Sequence, residues 1–204
     1  NNISVGFLEL KESTVDVVIC LNGYKLQGST RMFNVYGNFN ICDCHVPAEE
    51  GSMESNYMIN PDDSNDQFTA IAYCYYNSVT NLYGGNLKST KPLDFAAVIA
   101  VSHDGKTEAS LGMPSAVFNM YGGSISGSGV SKDGGAITLW NRGIFNMYDG
   151  TILGGTSFGP GSTAVSANGK FNMYGGSITK NTAKKDGGAI NLSSGGIVSI
   201  TGGT

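Results

Sequence analysis

Phe118-Asn119-Met120-Tyr121-Gly122-Gly123-Ser124-Ile125 returns as Phe145-Asn146-Met147-Tyr148-Asp149-Gly150-Thr151-Ile152 and as Phe171-Asn172-Met173-Tyr174-Gly175-Gly176-Ser177-Ile178. A fading copy, Val198-Ser199-Ile200-Thr201-Gly202-Gly203, follows, so the phrase recurs at intervals of 27, 26 and 27 residues. A second phrase, Lys132-Asp133-Gly134-Gly135-Ala136-Ile137, recurs as Lys185-Asp186-Gly187-Gly188-Ala189-Ile190, 53 residues on, which is two periods. Two phrases locked to one period mark a repeat architecture. Within each copy Phe and Met alternate with Asn and Tyr, the two-residue period of a half-buried strand. The three- and four-residue apolar spacing of an amphipathic helix is absent. Gly-Gly ends the strand and permits a corner closed to residues with a Cβ.

A unit of 26–27 residues holds about three short strands with tight corners. One unit has nothing to cover its apolar side, whereas stacked units cover one another. Leucine-rich repeats have a similar length, but their Leu-x-x-Leu-x-Leu phrase is missing. The sequence therefore predicts an all-β fold, a single-stranded parallel β-helix (solenoid) of about six rungs. The chirality of parallel crossovers favours the right-handed form. Phe118, Phe145, Phe171 and Val198 should stack, as should Met120, Met147, Met173 and Ile200. Ile125, Ile152 and Ile178 should line a second side. Ile137, Val165 and Ile190, with Leu139, Ala167 and Leu192, should line the third.

Upstream the pattern continues with interruptions. Thr80-Asn81-Leu82-Tyr83-Gly84-Gly85-Asn86-Leu87 matches the phrase with Thr80 in place of Phe, 38 residues before Phe118, so the 102–114 stretch is expected to bulge out. Phe33-Asn34-Val35-Tyr36-Gly37 copies the phrase literally, yet Phe39-Asn40-Ile41-Cys42-Asp43-Cys44 is an alternative counterpart. Residues 45–67, with Glu49-Glu50 and Asp62-Asp63, read as one inserted surface loop. Residues 1–26 read as a first rung and N-terminal cap, and 115–204 as regular repeats whose C-terminal end carries no cap. All 204 residues form one domain in this reading.

Composition narrows the function classes. Charged residues make up only 14% of the chain, which carries 30 Gly and a net charge of -4 with 12 Lys plus Arg. That leaves no basic field for nucleic acid. No apolar run approaches the roughly 18 residues of a membrane span. Gly without a three-residue period, and 5 Pro, exclude collagen.

The Gly-Gly-Ala-Ile and Phe-Asn-Met-Tyr-Gly-Gly-Ser-Ile phrases resemble β-helix repeat regions of large secreted surface proteins of anaerobic gut bacteria. Ile19-Cys20-Leu21-Asn22-Gly23-Tyr24-Lys25-Leu26 looks like the leucine-asparagine-glycine rung that opens such regions. Gly-Gly-Ala-Ile is also similar to a tetrapeptide of chlamydial polymorphic membrane proteins, although their companion Phe-x-x-Asn is not reproduced. The resemblance covers about residues 15–204. It implies the same right-handed β-helix, in an extracellular, cell-surface or secreted module used in adhesion and display.

The candidate binding ladder is Asn81, Asn119, Asn146 and Asn172 with Tyr83, Tyr121, Tyr148 and Tyr174, joined by Trp140. Stacked exposed Tyr rings offer an amphipathic strip for a sugar or a protein partner. Tyr is equally a strand former that stacks on its own copy. Cys20, Cys42, Cys44 and Cys74 allow disulfides in three connectivities, or remain free thiols. A zinc site is the lesser option, with His45 the nearby extra ligand. Asp62, Ser64 and Asp66 repeat the spacing of calcium loops but lack the Gly and Glu that complete one. Lys132-Asp133 and Lys185-Asp186 precede Gly-Gly corners, where charge keeps turns wet.

No cofactor is expected. β-Helical enzymes such as pectin lyases and hydrolases need convergent carboxylates. Here the acids are scattered, His103-Asp104-Gly105 stands alone and there are two His in all. The sequence thus predicts a non-catalytic display, spacer or attachment module for host protein or glycan. A carbohydrate-active β-helix and a subunit of an end-to-end stack, pairing with neighbouring copies or domains, are the alternatives.

Overall fold

In the computed structural model of the chain, residues 3–11, 15–45, 51–56, 69–90, 97–102, 114–127, 135–140, 142–154, 156–157, 165–183, 187–192 and 195–204 are described. Strands account for most of these residues, and all strand pairing is parallel. Three seven-stranded sheets run the length of the molecule. The first contains β1 (Ile3–Val5), β4 (Lys25–Gly28), β7 (Ser52–Ser55), β10 (Asn86–Ser89), β13 (Ser124–Ser126), β16 (Thr151–Leu153) and β20 (Ser177–Thr179), adjacent in that order. The second contains β2 (Leu8–Leu10), β5 (Phe33–Val35), β8 (Thr69–Cys74), β11 (Ala97–Ser102), β14 (Ile137–Trp140), β18 (Val165–Ala167) and β22 (Ile190–Leu192). The third contains β3 (Val17–Cys20), β6 (Asn38–Cys42), β9 (Val79–Leu82), β12 (Val117–Met120), β15 (Ile144–Met147), β19 (Lys170–Met173) and β23 (Ile197–Ile200). A small pair, β17 (Thr156–Ser157) and β21 (Thr182–Ala183), completes the set.

The chain visits the three sheets in the same order on every turn, as a parallel β-helix requires. The predicted stacks are the observed register. Phe118 faces Phe145, Phe145 faces Phe171, and Phe171 faces Val198. Ile125, Ile152 and Ile178 align in the first sheet. Ile137, Val165 and Ile190 align in the second. Phe118, Phe145 and Phe171 are fully buried and stack ring on ring at 5.0 and 5.7 Å. The phrase alternates because β12 and β15 bury every second residue.

The open register question resolves in favour of Phe39, which faces Thr80, while Ile41 faces Leu82. Phe33 lies in the second sheet opposite Ala72. Thr80 takes the inward position of Phe, and its hydroxyl lies 3.3 Å from the buried Cys74 sulfur. A polar pair thus closes on itself where the ring is missing.

Two expectations need correction. Among the described residues each sheet carries seven strands, one more than about six rungs supply, and β1, β2 and β3 make the first turn, in register with β4, β5 and β6. That turn advances only 22 residues from Val17 to Phe39, while the next two advance 41 and 38, so no constant period leads back to it. The 45–67 stretch is not one surface loop, for β7 runs through it as a buried strand with Met53 at 0% exposure. Ser-Met-Glu-Ser reads as polar, yet it is buried because partners far away in sequence neutralise its charge. Glu54 pairs with Lys25 at 3.1 Å and Lys88 at 2.8 Å, from the turns on either side. Most of the 102–114 bulge, the Asp62, Ser64 and Asp66 spacing and the Lys132-Asp133 and Lys185-Asp186 pairs lie outside the described residues.

The corner between the third and first sheets repeats as faithfully as the strands. Tyr148 N–H donates to Met120 O at 2.8 Å and Thr151 N–H to Gly123 O at 3.0 Å, so backbone bonding runs through the bend. Gly150 and Gly176 sit there at φ of 97° and 81°. A Cβ on Gly176 would stand 2.6 Å from both Gly150 O and the Met147 methyl. Only glycine meets both the left-handed backbone and the close stacking of turns.

Candidate functional site

The outward side of the third sheet divides into two ladders with different chemistry. Asn residues form the first. Asn81 donates to Asn40 Oδ1 at 2.8 Å, Asn119 to Asn81 at 2.9 Å, Asn146 to Asn119 at 2.9 Å and Asn172 to Asn146 at 2.8 Å. Each interior amide spends a donor and its acceptor on its neighbours, so this ladder holds turns together. Asn40, not among the ladder residues expected from the sequence, belongs to it, as the Phe39-Asn40 alternative register implies.

Tyrosines form the second ladder, one residue beyond the strands, at the corner. Successive rings of Tyr83, Tyr121, Tyr148 and Tyr174 have centroids 5.1, 4.9 and 5.0 Å apart and planes within 14° of parallel. Between 41% and 53% of each residue is exposed. Burial against its neighbours raises the Tyr121 phenol above its usual range, and the flanking phenols Tyr148 and Tyr83 add to this. The strip is a flat aromatic surface with hydroxyls at its rim. It can stack on a sugar face or an apolar side chain and hydrogen-bond at its edge.

Trp140 is not part of this strip. It ends β14 in the second sheet, half-buried, with its ring 6.2 Å from that of Tyr73. Tyr73 and Tyr75 lie 4.4 Å apart, Tyr36 stacks on Tyr75 at 4.3 Å, and the Arg31 guanidinium sits 5.5 Å over Tyr73. The Tyr36–Tyr75 and Tyr73–Trp140 contacts cross turns, so residues far apart in sequence meet in one aromatic group. Burial drives the Tyr36 phenol well up, assisted by Tyr75.

The cysteines divide as well. Cys74 is a core residue, and burial pushes its thiol up to about 12. Cys20, Cys42 and Cys44 converge, all three sulfurs lying within 4.8 Å of one another. Cys20 Sγ lies 2.6 Å from Cys44 Sγ, and Cys44 Sγ 3.8 Å from Cys42 Sγ. All are free thiols. Burial raises the Cys42 thiol to about 12, with its sulfur neighbours adding to it, whereas hydrogen bonding from Cys44 lowers Cys20. Asp43, between two of them, accepts N–H bonds from Gly23 at 2.8 Å and from Gly51.

Among the described residues the three cysteines form the one cluster of three or more His, Cys, Asp or Glu side chains. Glu54 is held by Lys25, Lys88 and the Ser52 hydroxyl at 2.9 Å. Burial alone would raise its carboxyl, but Lys88, Ser52 and Lys25 hold it down at about 2. Among the described residues no helix is long and apolar enough to cross a membrane. No protein-family model matches the chain, and no curated protein or solved structure matches it significantly.

Proposed function

We propose that this chain is a non-catalytic β-helical module of a secreted or cell-surface protein. Its tyrosine strip serves for attachment to a glycan or to a host surface protein. The observation that carries this reading is the row of four stacked, half-exposed tyrosines on a rigid corner. Their alignment is fixed by the amide ladder beside them, so a ligand meets a preorganised surface and costs the protein little ordering entropy. The resemblance to bacterial surface repeats supports the placement outside the cell. A glycan-binding screen with a parallel reducing-end assay tests it. Retention of a glycan without release of new ends supports attachment. Release of new ends would replace it by the carbohydrate-active reading.

End-to-end association is the second reading, favoured by exposed apolar side chains on both outer turns. Val18 and Phe7 on one side, and Ile197 and Ile200 on the other, are 50% to 61% exposed. Added turns, whether from a copy or another domain, would cover them. Light scattering of this chain over a concentration series tests that reading, with growth in mass supporting it and a constant monomer opposing it.

A further inference from the structure

The geometry points to a thiolate site for a soft, closed-shell cation of the zinc(II) type, built by Cys20, Cys42 and Cys44 at a corner shared by the first and second turns. This inference is independent of the attachment reading. Cys20 ends β3, Cys42 ends β6 directly opposite it, and Cys44 follows two residues on, so two successive turns deliver three sulfurs to one point. Tetrahedral coordination with metal–sulfur bonds of about 2.3 Å sets sulfur–sulfur edges of about 3.8 Å. Cys42 and Cys44 already stand at that separation, 3.8 Å.

Cys20 and Cys44, at 2.6 Å, lie inside the contact distance of unbonded sulfurs. A disulfide needs about 2.05 Å, and a cation needs the pair to open by about 1.2 Å. Both side chains are exposed, so χ1 rotation toward solvent can supply that opening. A disulfide would use two sulfurs and strand the third. A cation uses all three and leaves a fourth position on the solvent side.

The corner is also held in place. The Asp43 carboxylate binds the Gly23 and Gly51 N–H groups, fixing the backbone between Cys42 and Cys44. His45 packs against the same corner, where a Cβ on Gly23 would stand 2.8 Å from its ring. Its imidazole nitrogens are not gathered with the sulfurs, so the fourth position falls to water or to a rotated His45. Binding exchanges the three thiol protons for the cation and needs no oxidant.

The test uses the whole chain, fully reduced and free of oxygen, titrated with cobalt(II) as a spectroscopic probe and then with zinc(II). An intense near-ultraviolet sulfur-to-cobalt charge-transfer band should grow to about one equivalent and be displaced by zinc. Cys20→Ser, Cys42→Ser and Cys44→Ser should each weaken binding by at least about tenfold. Cys74→Ala should leave it unchanged, because that sulfur is enclosed in the core beside Thr80. Circular dichroism melts verify that each variant is folded. Absence of the band in folded, reduced protein would overturn the inference. So would a Cys20–Cys44 disulfide, mapped by mass spectrometry, that forms in air despite stoichiometric zinc.

Discussion

Asn146 donates its side-chain N–H to Oδ1 of Asn119 at 2.9 Å, linking two successive turns of the helix. Asn172 donates in the same way to Asn146 at 2.8 Å. Asn146→Leu would leave the Asn119 oxygen and the Asn172 N–H without these partners in a half-buried row. A loss of about 1–3 kcal/mol is expected, since unpaired groups cost more than the bond itself contributes. Denaturant unfolding of the variant measures it, and an unchanged midpoint would mean that the ladder is incidental.

Met147 and Tyr148 are adjacent in sequence but differ in burial, at 0% and 42% exposed. Met147→Asp places a charge among Met120, Met173 and the ring stack, at a cost of several kcal/mol. Tyr148→Ser removes an exposed ring and should cost under about 1 kcal/mol. Thermal melts of the two proteins should therefore differ widely. Similar losses would contradict the inward and outward assignment.

Glu54 makes the first half of the helix acid-sensitive. Its carboxyl titrates at about 2 in the folded chain, below its ordinary 4.5. A depressed folded value means the stabilisation is complete above pH 4.5 and is lost as pH falls toward about 2. Asp43 shifts in the same direction: burial opposes the shift, but the N–H bonds from Gly23 and Gly51 outweigh it. Melting temperature should fall steeply across this window in the parent protein and less steeply in Glu54→Gln. Equal slopes would show that the Lys25–Glu54–Lys88 network contributes nothing.

The legible part of the fold is the part where the period is constant. From Val117 onward each turn advances 26 or 27 residues, and alternation fixes which side chains point inward. Before that, turns of 22, 41 and 38 residues hide the same architecture. β7 escapes the pattern because Glu54 looks like a surface residue until Lys25 and Lys88 are seen from adjoining turns. Asn and Tyr were legible as outward residues, but not that one row is consumed by amide bonding while the other stays open. That distinction comes from the corner, where the chain turns between Met120 and Ser124 and leaves Tyr121 outside the strand. The convergence of Cys20 with Cys44 depends on a register across turns that spacing in one dimension does not supply.

The central functional claim is that the tyrosine strip is the attachment surface. Calorimetric titration of a glycan retained in the screen tests it most directly, comparing the parent with a Tyr121→Ala, Tyr148→Ala double variant and with Trp140→Ala. Removing the two central rings should weaken binding by at least about tenfold, or 1.4 kcal/mol, while Trp140→Ala leaves it unchanged. Undiminished binding by the folded double variant, or a loss confined to Trp140→Ala, would contradict the account.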